Sequence, residues 1–216
     1  YVRDFGGGLI MTGGDESFGA GGWIGKPLEE ISPVSFEIKQ KQVMPRGGLY
    51  FDPRGHPLAA AESVADIERY PWPDPTDPAR FAGIADRARE LRDRTGCAVA
   101  LNSICAGPLE MGQWLRGYDR FMMDLALEPA IAEAIVERVT ALKIDYWNAV
   151  LPLVGALVDI VGESDDLGHQ QGLLVSAQTY RRFLKPRHAR VRAAIRKHVD
   201  APLYFHSCGA IREILP

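Results

Sequence analysis

The sequence has little that would suit a secreted, membrane-embedded or nucleic-acid-binding protein. Its 216 residues include only three cysteines, an odd number without paired spacing, which argues against a disulfide framework. Its apolar runs fall short of the roughly 20 residues of a membrane helix, and nothing resembles a signal peptide. With 25 basic and 28 acidic residues the net charge is −3, so no basic field would attract nucleic acid. We predict a cytoplasmic protein without membrane or nucleic-acid partners.

The hydrophobic content of 46% is enough for one sizeable core. Residues 1–50 are rich in glycine and have poor periodicity, so we predict loops and short strands there and treat them as a separate segment. A hairpin is predicted in "PRGGLYFDPRGHPLA", and residues 51–216 form the main domain. The chain begins with tyrosine and ends directly after a site-like segment, so we expect it to be part of a longer protein.

The main domain alternates predicted helices with apolar strands. Helices are predicted from Asp77 to Gly96, from Pro129 onward, and after Ser176 with an interruption at Pro186. The apolar strands lie in "CAVALNSICAG" (97–107), "GALVDIVGESDD" (155–166) and "APLYFHSCG" (201–209). This alternation predicts an α/β fold with a parallel sheet. An open doubly wound sheet and a (β/α)8 barrel both fit; a barrel usually needs about 250 residues and would be incomplete here.

Each of the three strands ends in polar, ionisable or thiol groups. The stretches concerned are 102–105 (Asn-Ser-Ile-Cys), 163–166 (Glu-Ser-Asp-Asp) and 206–208 (His-Ser-Cys). The carboxyl ends of parallel strands meet at one edge of the sheet, where α/β enzymes place their functional groups. The three stretches therefore predict one site at that edge.

His206 and Cys208 are candidate zinc ligands, because residues i and i+2 of a strand point to the same face. A catalytic zinc needs about three protein ligands, so a third must be Cys105, Glu163 or Asp165, or lie outside this chain. The alternative is a satisfied buried histidine beside an inert core cysteine.

The acidic cluster of Glu163, Asp165 and Asp166 predicts a second function at the same edge. Three carboxylates within four residues repel one another unless a cation, a ligand or hydrogen-bond donors compensate them. They could bind donor groups of a substrate, or one could act as an acid. The alternative is a solvated loop in which Asp166 caps a turn.

Two stretches carry a family resemblance: "GESDDLGHQQGLLVSAQTYRRFLKPRHARV" and "YFHSCGAIREILP". Together with "YPWPDPTDPARF" and "GPLEMGQWLRGYDRFMMDLALEP", they resemble the uroporphyrinogen decarboxylase superfamily, closest to its zinc-dependent, corrinoid-linked methyltransferases. The resemblance covers roughly residues 50–216.

The resemblance implies a (β/α)8 barrel that binds zinc through an H-x-C pair, matched by His206 and Cys208, and through a later cysteine beyond Pro216. It also implies a corrinoid co-substrate, usually on a partner protein, and zinc that holds a small acceptor as a thiolate. Within this scheme we predict catalytic roles for Asp165 and Asp166. Predicted substrate contacts come from four residues: Asn102, Glu163, Gln170 and Ser176.

Two alternatives remain. A cofactor-free decarboxylase of a tetrapyrrole would resemble the superfamily's founding members. Against it, this sequence lacks their arginine-rich N-terminal segment and has Asp165-Asp166-Leu167 where they read approximately Asp-Ser-Trp. The other alternative is a non-catalytic protein that binds a corrinoid or tetrapyrrole at the mouth of the barrel.

Overall fold

A computed structural model describes residues 56–215, which lie in one compact unit, Phe51–Pro216. The glycine-rich segment 1–50 and most of the predicted hairpin lie outside the described residues. The α-helices, numbered α1 to α7, are Val64–Arg69, Ile84–Thr95, Pro108–Arg116, Tyr118–Leu127, Pro129–Val154, Ala177–Thr179 and Lys185–Arg196. The strands, numbered β1 to β5, are Ala100–Asn102, Ile160–Ser164, Gly168–His169, Gly172–Leu173 and Leu203–His206.

The predicted helix over 77–96 forms in two pieces. Asp77 caps a 3₁₀ turn over Pro78–Phe81 by accepting a hydrogen bond from the Ala79 N–H. A left-handed glycine at position 83 then separates this turn from α2. As predicted, α2 ends at Gly96, which has a φ of 64° that favours glycine.

Helix α5 spans 26 residues and contributes more buried apolar residues than any other element among residues 56–215. It starts at Pro129 as predicted, because proline suits the first helical turn, where its missing N–H is not needed. All five apolar positions of its predicted stripe are buried: Ile131, Ile135, Val139, Leu142 and Tyr146. Among residues 56–215, no helix combines the length and apolar character that a membrane crossing requires.

The helical region after Ser176 has no loop at Pro186. Ser176 caps α6 as predicted, and a π-helical turn over Tyr180–Leu184 leads directly into α7. Pro186 lies in the first turn of α7, where the lack of an N–H is tolerated. The helical region therefore continues through Pro186, where the sequence predicted an interruption.

The predicted parallel sheet is present in the order β1-β2-β5, with both neighbouring pairs parallel. Helices α3 to α5 connect β1 to β2. Helices α6 and α7, preceded by the short antiparallel hairpin β3–β4, connect β2 to β5. The described residues thus form a mixed α/β fold with crossover helices, and a closed barrel is not seen among them.

The two faces of this sheet differ. Leu101, Val161 and Leu203 pack with apolar residues of α5 and α7 in one core cluster. Residues of the opposite parity, such as Asn102 and Tyr204, are exposed. We call the face that packs against α5 and α7 the helix-covered face and the opposite one the open face. Because side chains of a strand alternate between faces, each residue near the strand ends belongs to one or the other.

Candidate functional site

The carboxyl ends of the three parallel strands lie at one edge of the sheet, as the sequence predicts. The register pairs Asn102 with Gly162 in the β1–β2 pair, and Ser164 with His206 in the β2–β5 pair. Extending the second pairing by two residues places Asp166 opposite Cys208. The Cys208 N–H indeed donates a 2.8 Å hydrogen bond to Asp166 Oδ1, although the two residues are 42 positions apart.

Asp166, His206 and Cys208 form a compact group of possible metal ligands on the open face. One ligand atom from each lies within 4.8 Å of the other two. His206 Nε2 is 3.5 Å from Cys208 Sγ and 3.5 Å from Asp166 Oδ1. The candidate pair from the sequence is therefore brought together, and Asp166 joins it as a third donor. Cys105, Glu163 and Asp165, the three candidates within the chain for that position, are not in this group.

The loop that carries Cys208 is held by the β3–β4 hairpin. Gly209 has a φ of 78°, and a Cβ atom there would overlap the backbone of Gly168 in β3. Only glycine allows this approach. The Ser207 hydroxyl accepts a 3.0 Å hydrogen bond from the Leu167 N–H. The glycine that follows the H-x-C pair thus has a packing role beside the site.

The electrostatics of the group favour a cation. The pKa of the Cys208 thiol is raised, first by its hydrogen bond to Asp166 and then by partial burial and the charges of Asp166 and Glu110. Burial, followed by the charges of Asp166 and Asp165, raises the pKa of Glu110. Within residues 56–215, neither Asp166 nor Glu110 is ion-paired to a lysine or arginine. A divalent cation would compensate this negative charge and favour the thiolate.

Glu163 lies on the helix-covered face, away from this group. It forms a buried 2.9 Å ion pair with Lys143 of α5, and it accepts a hydrogen bond from the Trp147 indole. The Lys143 ammonium also donates to the Ser103 hydroxyl at 2.7 Å and to the carbonyls of residues 105 and 106 at 2.7 and 3.1 Å. Strand β1 is shorter than the predicted 97–107 strand, and these two carbonyls accept from Lys143 in the loop that follows it.

Lys143 contacts the loop after β1 beside the candidate site, and we did not predict it from the sequence. It lies four residues after Val139 and four before Trp147, both buried, so its position belongs to the apolar stripe of α5. A charged residue on a buried stripe requires a buried partner, because an unpaired buried charge is very costly. That rule could have indicated Lys143 from the sequence.

Asp165 is also on the helix-covered face and has no exposed surface. Its carboxylate accepts hydrogen bonds from the Leu109 and Glu110 N–H groups, at 3.2 and 3.0 Å, in the first turn of α3. His188 Nε2 of α7 lies 2.9 Å from the same carboxylate. A Cβ atom at Gly107 would overlap the Asp165 side chain, so this approach requires glycine.

The other predicted site residues lie outside the Asp166–His206–Cys208 group. Asn102 is on the open face, where its side-chain oxygen covers Gly162. Gln170 is exposed in the turn between β3 and β4, and the Ser176 hydroxyl accepts a hydrogen bond from the Thr179 N–H. Burial raises the pKa of Cys105, which disfavours its thiolate. Substrate contacts of Asn102, Gln170 and Ser176 stay predictions.

A curated relative and a solved structure that are similar to this chain both come from Methanosarcina mazei. The methylated-thiol–coenzyme M methyltransferase of Methanosarcina mazei is 22% identical over 188 residues, covering 87% of this chain and 49% of that protein. A solved structure of a methyltransferase from Methanosarcina mazei aligns with a TM-score of 0.49 at 20% identity, over 74% of this chain and 43% of that one. This chain spans about half the length of the curated relative that it matches.

The family itself is established over most of the chain. Residues 48–216 match the profile of the family described as uroporphyrinogen decarboxylase (URO-D). The match covers the whole described sheet and the Asp166–His206–Cys208 group. It confirms the resemblance noted in the two quoted stretches, and the curated relative is a methyltransferase, the branch that those stretches favour. This chain belongs to the uroporphyrinogen decarboxylase family.

Proposed function

We propose that this chain is part of a zinc-dependent methyltransferase that moves a methyl group between a corrinoid and a thiol or another small acceptor. The observation that carries the proposal is the convergence of a carboxylate, an imidazole and a thiol at the ends of β2 and β5. The methyltransferase relative supports the reaction class. A corrinoid-carrying partner protein and a cytoplasmic location are parts of the same proposal.

The donor set fits zinc by its chemistry. Zinc accepts sulfur, nitrogen and oxygen ligands together, and a catalytic site leaves one coordination position open beside three protein ligands. Asp166, His206 and Cys208 would supply those three. The resemblance offers a later cysteine as the third ligand instead, and the metal-binding test below distinguishes it from Asp166.

Zinc in this position would supply Lewis acidity that keeps an acceptor thiol as its nucleophilic thiolate at neutral pH. The chain's own residues fix the geometry around it. Asp166 holds the Cys208 backbone through its Oδ1, and the open face beside the group presents Asn102 and Tyr204 to a bound small molecule. The buried Lys143–Glu163 pair fixes the loop after β1 that borders this face.

The proposed enzyme has a barrel fold. We infer that β1, β2 and β5 are neighbouring strands of a (β/α)8 barrel, with the open face of the sheet turned to its interior and the helices outside. The parallel order and the one-sided helix layer support this arrangement. A site at the carboxyl ends of the strands is where such barrels bind their substrates.

Metal analysis of the intact protein tests the proposal. We expect one zinc per chain in the wild type, none in His206→Ala/Cys208→Ala, and weakened binding in Asp166→Ala if this carboxylate is a ligand. Zinc binding unchanged in Asp166→Ala would assign the third position to the later cysteine. The absence of stoichiometric zinc from the wild type would refute the zinc site.

Turnover tests the reaction. Transfer of the methyl group from a methylated corrinoid to a thiol, followed by the corrinoid's visible spectrum, should stop when a chelator removes the metal. Decarboxylation of a porphyrinogen that survives chelation would overturn the proposal in favour of the decarboxylase. Corrinoid binding without turnover would overturn it in favour of a binding protein.

A further inference from the structure

Asp165 is the most enclosed carboxylate near the candidate metal group. It is fully buried, and its oxygens accept two backbone hydrogen bonds from α3 while facing His188 Nε2 at 2.9 Å. A carboxylate only accepts hydrogen bonds, so Nε2 carries the donated proton. The Asp165 side chain has no exposed surface left for contact with a substrate. This burial suits a positioning role better than the catalytic role predicted from the sequence.

The backbone of Asp165 is tied to the ligand group on both sides. Its N–H donates a 3.0 Å hydrogen bond to the carbonyl of His206, and the next residue along the chain is Asp166. Alternation places the Asp165 side chain among the helices and the Asp166 side chain on the open face. Any shift of Asp165 therefore displaces Asp166 relative to His206 and Cys208.

His188 is the one side chain that donates to Asp165 among the described residues. It lies in α7, four residues after Leu184, and its ring contacts Tyr180 and Phe205 with centroid distances of 5.9 and 5.2 Å. Without this donor, a fully buried carboxylate would retain only two backbone N–H partners, and the strand end would lose its link to α7.

We propose that Asp165 and His188 form a positioning pair, which sets Asp166 in place for the ligand group from the helix-covered side of the sheet. The pair joins β2, α3 and α7 at one buried carboxylate. This inference rests on the proposed function, in which the Asp166–His206–Cys208 group binds a metal. Neither residue contacts the metal or the substrate in this role.

Two matched substitutions in the intact protein test the pair. His188→Phe keeps an aromatic ring against Tyr180 and Phe205 but removes the donor, whereas His188→Gln offers an amide N–H in place of Nε2. Residues that orient metal ligands typically change metal affinity 10–100-fold when they are replaced. We expect His188→Phe to lower Co²⁺ affinity by roughly that factor and to alter the visible Co²⁺ spectrum, and His188→Gln to restore both.

A second readout needs no metal. In the metal-free protein, His188→Phe should accelerate amide hydrogen exchange in the segments 107–112 and 205–209, and His188→Gln should leave it close to the wild type. If His188→Phe does not fold, the smaller His188→Leu, which also lacks the donor, takes its place.

Unchanged hydrogen exchange in both segments after loss of the donor would overturn the positioning pair. A His188→Gln variant that resembles His188→Phe in both readouts would overturn it too. A wild type that binds no Co²⁺ would instead refute the metal site. In that case, amide hydrogen exchange alone would test whether Asp165 and His188 form the pair.

Discussion

At the scale of single residues, the acidic cluster is divided by the two faces of the sheet. Glu163 and Asp165 point to the helices and are buried, with Lys143 and His188 as their partners. Asp166 points to the open face and meets His206 and Cys208. The repulsion expected among three carboxylates within four residues is therefore relieved by separation and by pairing, and Asp166 is the one of the three that lies beside His206 and Cys208.

The buried Lys143–Glu163 pair should matter strongly for stability. Lys143→Met would leave the Glu163 carboxylate buried without its cation, and breaking such a pair costs about 3–5 kcal/mol. The double variant Lys143→Met/Glu163→Gln removes both charges and should recover most of this loss. Urea unfolding followed by tryptophan fluorescence measures the free energies of unfolding.

The exposed Lys197→Met is the matched control, with an expected change within about 0.5 kcal/mol. A Lys143→Met variant as stable as that control would show that the buried pair contributes nothing to the fold.

At the scale of elements, glycines decide how closely the site loops approach the strands. Gly107 lets the start of α3 approach Asp165, and Gly209 lets the Cys208 loop approach β3. Both glycines lie next to a residue of the candidate site or its support, and a side chain at either would separate two elements. The geometry of the site is thus set by backbone contacts between elements as well as by the ligands themselves.

Gly209 and Gly96 offer a direct comparison of these effects. Both have a positive φ, but a Cβ atom would overlap backbone at Gly209 and meets nothing within 4 Å at Gly96. Gly96→Ala should cost about 1–2 kcal/mol of stability and leave zinc affinity unchanged. Gly209→Ala should in addition displace Cys208 and weaken zinc binding at least tenfold, on the order of a lost orienting contact.

Competition with a chromophoric chelator measures both zinc affinities, and thermal unfolding checks the stability of both variants. Equal zinc affinities in the two alanine variants would show that the loop can move without affecting the site.

At the scale of the whole molecule, the described sheet has three strands, with β2 in the centre and β1 and β5 at its two edges. Tyr204 and Phe205 of β5 are exposed. An unpaired edge with exposed aromatic residues is a liability in a folded protein, because it invites association with other strands. Closure of the proposed barrel would remove both edges.

Hydrogen exchange in the intact protein tests this closure. Backbone amides of a strand that is paired on both sides exchange slowly, whereas those on an open edge exchange faster. We expect the segment 203–206 to be protected as strongly as the central segment 160–164. Fast exchange in 203–206 alone would mean that β5 is an edge strand in the complete protein, and that the barrel does not close beside it.

Much of this protein could be predicted from its sequence because the relevant signals are local. Proline at 129 and the spacing of apolar residues predicted α5, and alternation of helices with apolar strands predicted the parallel sheet. The family resemblance lay in the segments around Glu163 and His206, and the family profile confirms it. The H-x-C pair could be recognised as a candidate because both residues lie on one strand end.

Only the tertiary structure decided which third donor lies beside His206 and Cys208. Asp166 joins His206 and Cys208 because the β2–β5 register places positions 42 residues apart opposite each other, and no local pattern records such a register. The same register and the helix layer turned Glu163 and Asp165 inward to Lys143 and His188. Local sequence determined the elements and the ligand types, whereas long-range pairing of the strands chose which carboxylate faces the site.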